Sequence, residues 1–250
     1  MSDLVAFELP ASAFVIIALV SMIGSAATAT FSIGGGLLLI GVMSVLVPPA
    51  AVIPVHGVIM VGSNAGRSAL LLGHIRWNII AWFAFGALIG GLIGAQVVFG
   101  LPSGVLRLCI AGFILFTQWG PKIALPLGAP FYAVSGSLSM FLTLFVGASG
   151  PFITAILSRL PQLSRMALIA TTGGCMTLQH AGKVAIFGLG GFDYTQWAGL
   201  IAVAIGAGFV GTFFGTRLLQ RINEDAFRGA LRWILTALAL WLVFLGVTSE

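Results

Sequence analysis

Six side chains could do chemistry inside an otherwise apolar chain: His56, Asn64, Arg67, Gln179, His180 and Lys183. Four of them fall in two tetrads of one pattern, Asn64-Ala65-Gly66-Arg67 and His180-Ala181-Gly182-Lys183. Residues three apart lie close on a helix surface, so each tetrad sets a hydrogen-bonding group one turn from a cation. Arginine offers a planar fork for an oxyanion, and lysine a compact point charge. No Asp or Glu accompanies them, because all six acidic residues lie at termini or connectors. A cation pathway supplies carboxylates at depth, whereas an anion pathway calls for cations, amides, hydroxyls and helix N-termini. The residue types therefore point to an anion. A competing structural reading has Arg67 and Lys183 snorkelling to the interface, with Asn64 and His180 bonding between helices.

Two glycine breaks accompany the tetrads. Gly34-Gly35-Gly36 follows Phe31-Ser32-Ile33, and Gly147-Ala148-Ser149-Gly150-Pro151 follows Phe145-Val146. Glycine costs about 1 kcal/mol against alanine in a helix interior, so each cluster predicts a break or a close backbone approach. A half-helix starting at Gly36 or Gly150 turns unpaired N–H groups and a positive dipole end toward the break. Ser149 adds a hydroxyl, as Ser32 can. The alternative is plain helix crossing at small residues. His56 matches Thr172 in the second half. His56 and His180 are the candidates for proton coupling, since no carboxylate is available at depth. Thr171 and Thr172 either bond the anion or bond their own helix backbone. The candidate substrate-binding set is thus Gly34, Gly35, Gly36, His56, Asn64, Arg67, Ser149, Gly150, Thr171, Thr172, Gln179, His180 and Lys183. No metal-ligand spacing, P-loop or nucleotide fingerprint occurs, so neither an enzyme nor a cofactor is expected.

The elements that hold these residues follow from composition. Of 250 residues, 59% are hydrophobic and 7% charged, against about a quarter charged in soluble domains. Lipid must therefore be the solvent. The expected fold is an all-α integral membrane protein of about seven or eight segments, each needing roughly 20 apolar residues. The net charge of +5 is spread over short loops, which reads as topology and not as a nucleic-acid surface. No basic n-region precedes the first apolar run, so that run is expected to be retained. Cys109 and Cys175 sit in apolar segments as packing residues.

The order of features is used twice. Phe31 and Phe145 are 114 residues apart, Asn64 and His180 are 116 apart, and Trp77 and Trp197 are 120 apart. Residues 11–119 form a first transmembrane repeat, 120–130 a central linker and 131–247 a second repeat of one membrane domain. Leu37–Val47 and Phe152–Leu160 are too short to span. Gly86/Gly90/Gly94 and Gly211/Gly215 are spaced for close helix packing. Basic residues discriminate between two topologies. If each break is the tip of a re-entrant hairpin, Arg76, Lys122, Arg159, Arg165, Arg217, Arg221, Arg228 and Arg232 share a side against Arg107 alone. If the broken segments cross fully, Arg76 and Lys122 oppose the other seven. The first count favours inverted repeats.

The Gly34–Gly36 break before an apolar half-helix and Pro48, the Gly147–Pro151 break, the Trp77 and Trp197 loop elements and the glycine rows resemble the TauE/SafE family of sulfite exporters. The resemblance covers about residues 11–247. It implies a transporter in the bacterial cytoplasmic (inner) membrane for sulfite or a sulfonate such as sulfoacetate, moving by alternating access. It also implies the lipid bilayer and a small sulfur anion as partners, with no nucleic acid, and leaves self-association open. A rival expectation is a membrane subunit or channel relaying thiosulfate or other sulfur species to a partner through Cys175.

Overall fold

The computed structural model describes residues 9–31, 34–99, 102–121, 128–160, 162–215 and 224–248. Ser32, Lys122, Arg217 and Arg221 lie outside them. The described residues form helices without strands. In order these are α1 (Ala11–Phe31), α2 (Gly35–Leu46), α3 (Pro49–Leu70), α4 (Trp77–Val98) and α5 (Ser103–Trp119). Then come α6 (Ala129–Val146), α7 (Gly150–Leu157), α8 (Arg165–Leu189), α9 (Ala198–Val210) and α10 (Glu224–Thr248).

Five segments are long and apolar enough to cross a membrane: Ala11–Thr30, Trp77–Val98, Ala129–Val146, Thr195–Phe214 and Gly229–Thr248. Helices α3 and α8 are long as well, at 22 and 25 residues. They are the polar ones, and they pack on each other in the interior with His56, Asn64, Arg67, Gln179, His180 and Lys183 all buried. Helices α2 and α7 have 12 and 8 residues. At 1.5 Å per residue they rise about 18 and 12 Å, well short of a hydrocarbon core. Bulky side chains such as Phe85, Leu88, Leu92, Trp233 and Phe244 face outward, as lipid contact requires and water would penalise. Trp77, 62% exposed, opens α4 beside Arg76 as an interfacial pair.

Small residues set the helix pairs. A Cβ on Gly86 would lie 1.7 Å from Ala133 O, and one on Gly90 2.0 Å from Ser137 O. Gly94 meets Phe141 and Leu144. Helices α4 and α6 therefore run parallel in close contact. Helices α1 and α9 are parallel too, with Ser21 Oγ donating to Ala204 O at 2.7 Å and Gly208 against Ser25. Helices α3 and α8 are antiparallel: Gly57 lies on Lys183 and Val184, while Gly173 lies on Ser68 and Asn64. So are α5 and α10, where Gly246 meets Leu108 and Trp119 Nε1 donates to Thr236 Oγ1 at 2.9 Å. These four pairings are the most extensive, and each joins a helix from residues 11–119 to one from residues 129–248.

Past Phe31 the chain turns back. Gly35 lies against Gly24, and its N–H donates to Thr28 Oγ1 at 3.1 Å, so α2 returns along α1. It is antiparallel to α3 as well, since Gly36 meets His56 and Met60 while Ile40 and Ile53 share a contact with Gly147. After α9, residues Gly211–Gly215 form a π turn. There α9 comes so close to α1 that a Cβ on Gly211 would lie 1.9 Å from Met22 O.

Gly90→Ala should lower the unfolding temperature of the detergent-solubilised protein, at a cost of about 1–3 kcal/mol. Gly112→Ala in α5, where a Cβ meets nothing within 4 Å, should be neutral or stabilising by up to about 1 kcal/mol. Equal melting of the two variants would contradict close α4–α6 packing.

Candidate functional site

Both glycine breaks adopt the same backbone conformation. Gly34 has φ 81° and ψ −20°, and Gly147 has φ 75° and ψ −21°. This left-handed region costs an L residue about 1–2 kcal/mol. There is no room for a side chain either: a Cβ would lie 2.2 Å from Leu231 Cδ2 at Gly34 and 1.8 Å from Ile40 Cδ1 at Gly147. Glycine is thus favoured at each break by its backbone freedom, and a methyl there would also have to displace the tip of Leu231 or Ile40.

The N-terminal ends of α2 and α7 meet at one cavity of about 50 Å³. Thr28, Gly34, Gly35, Gly36 and Leu37 line one side, and Ala148, Gly150, Pro151 and Thr154 another. Helix α3 contributes Met60, Asn64 and Arg67, and α8 contributes Ile169, Thr172, Met176 and His180. No carboxylate is among the lining residues.

Three residues that line this cavity each carry a buried polar atom without a hydrogen-bond partner: Arg67 Nε, Thr172 Oγ1 and His180 Nδ1. Only two other buried side-chain polar atoms among the described residues share that condition, on Arg107 and Thr143. Arg67 does donate from Nη2 to Asn64 Oδ1 at 3.3 Å, and Asn64 Nδ2 donates to Met60 O at 2.8 Å. Asn64 therefore orients the guanidinium by one turn of helix. An unpaired buried polar atom costs about 1–3 kcal/mol, so three on the residues around one cavity are a concentrated cost.

The other candidates lie behind this surface. Gln179 Nε2 donates to Ser149 Oγ at 2.5 Å, and Ser139 Oγ donates to Gln179 Oε1 at 2.7 Å. Ser139 and Ser149 are 2.7 Å apart. With the Ser139 proton on Gln179, Ser149 must donate to Ser139, which closes a ring and engages the one hydroxyl proton of Ser149. Thr171 Oγ1 accepts from Arg76 N at 3.0 Å and so fixes the α3–α4 connection. His56 Nε2 lies 3.1 Å from Gly36 O. Lys183 Nζ donates to Gly147 O at 2.8 Å and lies 3.4 Å from His56 Nδ1. Neither cation snorkels: Arg67 and Lys183 are 6% and 0% exposed.

The structure thus brings Gly34, Gly35, Gly36, Asn64, Arg67, Gly150, Thr172 and His180 to one cavity. It sets His56, Ser149, Thr171, Gln179 and Lys183 behind it. Thr28, Met60, Thr154 and Met176 line the cavity without having been singled out by sequence. Met60 and Met176 stand 116 positions apart, the same offset as Asn64 and His180, so the duplication carried a signal for them. Thr28 had only its place one turn from the end of an apolar helix.

The family model described as sulfite exporter TauE/SafE matches residues 16–242. The chain belongs to this family. It is therefore a sulfite exporter-type, multi-pass membrane transporter, in a family of transporters rather than enzymes. No curated protein and no solved structure matches it. The break glycines that carried the resemblance in sequence are those that begin the two half-helices of this TauE/SafE member.

The glycines should differ in their tolerance of a methyl group. Gly191 also has a positive φ, 91°, but a Cβ there meets nothing within 4 Å. Gly191→Ala should cost only the backbone strain of about 1–2 kcal/mol. Gly147→Ala adds the Ile40 clash and should cost about 1–3 kcal/mol more, read as a larger drop in unfolding temperature.

Proposed function

We propose that this protein exports a small sulfur-containing anion across the bacterial cytoplasmic membrane by alternating access. The observation that carries this reading is the convergence of three unpartnered buried groups and two helix N-terminal ends on one carboxylate-free cavity. Arg67 and His180 would donate to the anion, Thr172 would add a hydroxyl, and α2 and α7 would contribute the Gly36, Leu37 and Gly150 amides and the positive ends of their dipoles. Together they replace the hydration shell of the anion. A water needs about 10–15 Å³ of such space. A cavity of about 50 Å³ therefore suits a compact four-heavy-atom anion such as sulfite. A sulfonate such as sulfoacetate would need a wider state of the same cavity.

Inverted repeats are supported by chain direction. Helices α1–α5 and α6–α10 follow the same order, and the counterpart pairs α3/α8 and α5/α10 are antiparallel. An axis relating the halves then lies across the helices, in the membrane plane. The return of α2 along α1 supports re-entrant hairpins at the breaks. In this arrangement Arg76, Arg159, Arg165 and Arg232 share one end and Arg107 the other, so the first is cytoplasmic. Arg67, Ile169 and Thr154 lie on that side of His56 and Lys183, which makes the cavity an inward-loading site. An inside-negative potential favours anion export by about 2.3 kcal/mol per charge per 100 mV. The relay through Cys175 is less well supported, because Cys175 is buried and does not line the cavity.

Sulfite-loaded proteoliposomes provide the test, with sulfate, sulfoacetate and taurine as competitors. Arg67→Ala should weaken sulfite transport about 10- to 100-fold, as for loss of a charge-assisted hydrogen bond of roughly 1.5–3 kcal/mol. Cys175→Ala should transport normally. Normal flux in Arg67→Ala, or none in Cys175→Ala, would overturn the reading.

A further inference from the structure

Lys183 is an anomaly. It is among the largest fully buried side chains, it is a cation, and it touches neither a carboxylate nor the cavity. A buried cation needs compensation. Its compensation is the carbonyl of Gly147, the left-handed residue that ends α6. His56 does the equivalent at the other break, by bonding the carbonyl of Gly36 in the first turn of α2.

The atoms fix the direction of these bonds. Gly36 O can only accept, so His56 Nε2 carries the ring proton. Nδ1 of that neutral tautomer is then an acceptor, and it faces the Lys183 donor at 3.4 Å. A continuous chain results: Gly36 O, His56, Lys183, Gly147 O. It starts at one glycine break, crosses from α3 to α8 and ends at the other. The space around it is tailored as well, since a Cβ on Gly57 would lie 2.8 Å from Lys183 Cε. The remaining ionisable group facing the pair is the His180 ring, edge-on to His56 at 5.7 Å between centroids.

We propose that His56 and Lys183 are positioning residues that form a strut between the two glycine breaks, holding both half-helix N-termini on the cavity without touching the anion. A carbonyl at each break is bonded, which holds the start of each half-helix in place. The strut ties one break from each half of the chain, so a rearrangement at one is felt at the other. The tie itself rests on these hydrogen bonds alone. Only its effect on transport rests on the anion reading above.

Hydrogen–deuterium exchange in lipid nanodiscs without any anion tests the strut separately from the substrate. Lys183→Met keeps the stem and removes the donors. It should speed amide exchange about tenfold or more at both Gly36–Leu38 and Ala148–Ile153, as for loss of one or two hydrogen bonds, while α4 and α6 stay as protected as before. His56→Phe should do the same from the other end, and it serves if Lys183→Met does not fold. For sulfite binding, the double variant should be no weaker than the weaker single variant, because either change breaks the whole chain. Exchange unaltered at either break, or additive losses of binding, would overturn the strut and make Lys183 a ligand or a packing residue. Loss of exchange protection together with unchanged sulfite affinity would leave the strut standing and remove its link to the anion.

Discussion

A helix that ends in the middle of a bilayer must have its free backbone groups satisfied by protein or by a guest, because no water is present to do so. This chain breaks its helices at two left-handed glycines, Gly34 at the start of α2 and Gly147 at the end of α6. Much of the remaining structure meets that requirement. Thr28 bonds the first amide of α2. His56 and Lys183 bond one carbonyl at each break. The Ser139–Ser149–Gln179 ring closes the polar groups beside the second break. Arg165 bonds Thr30 O, near the end of α1. The groups left unbonded are concentrated at the cavity.

The two cations of the duplicated tetrads have diverged in duty. Each sits one turn after a polar residue on a buried helix, yet Arg67 faces the cavity with an unpartnered Nε and Lys183 faces backbone. The difference follows from helix direction. Helices α3 and α8 pass each other antiparallel, so the tetrad at the C-terminal end of α3 lies opposite the N-terminal part of α8, around Gly173. The α8 tetrad lies opposite Gly57, on the other side of the cavity. The two cations are therefore separated along the helix pair. This also avoids placing two positive charges side by side at low dielectric, where their repulsion would be large.

Packing follows a simpler rule. Lipid tails give apolar helices no reason to leave them for one another, so association depends on close approach and on interhelical hydrogen bonds. The glycine rows on α4 and at Gly211 supply the approach, and Ser21, Ser25, Ser63 and Ser68 supply bonds between helices. Every major pairing joins the two halves, so the cavity is built between them and neither half holds it alone.

The sequence by itself determined the membrane class, the positions of the helices, both breaks and the family. These depend on composition, on glycine's backbone freedom and on apolar periodicity, all of which act over a few neighbouring residues. It also marked the polar residues worth watching, because an ionisable side chain among so many apolar ones is conspicuous. It could not divide them. Whether Ser149 offers its proton to an anion or to Ser139, and whether Lys183 meets solvent, an anion or Gly147 O, depends on which residues lie across from them 10 to 127 positions away. Only the antiparallel crossing of α3 and α8, with the half-helices laid against it, decided that. Hydrogen bonding is directional and short-ranged, so tertiary structure assigned the partners and left Arg67 Nε, Thr172 Oγ1 and His180 Nδ1 without one.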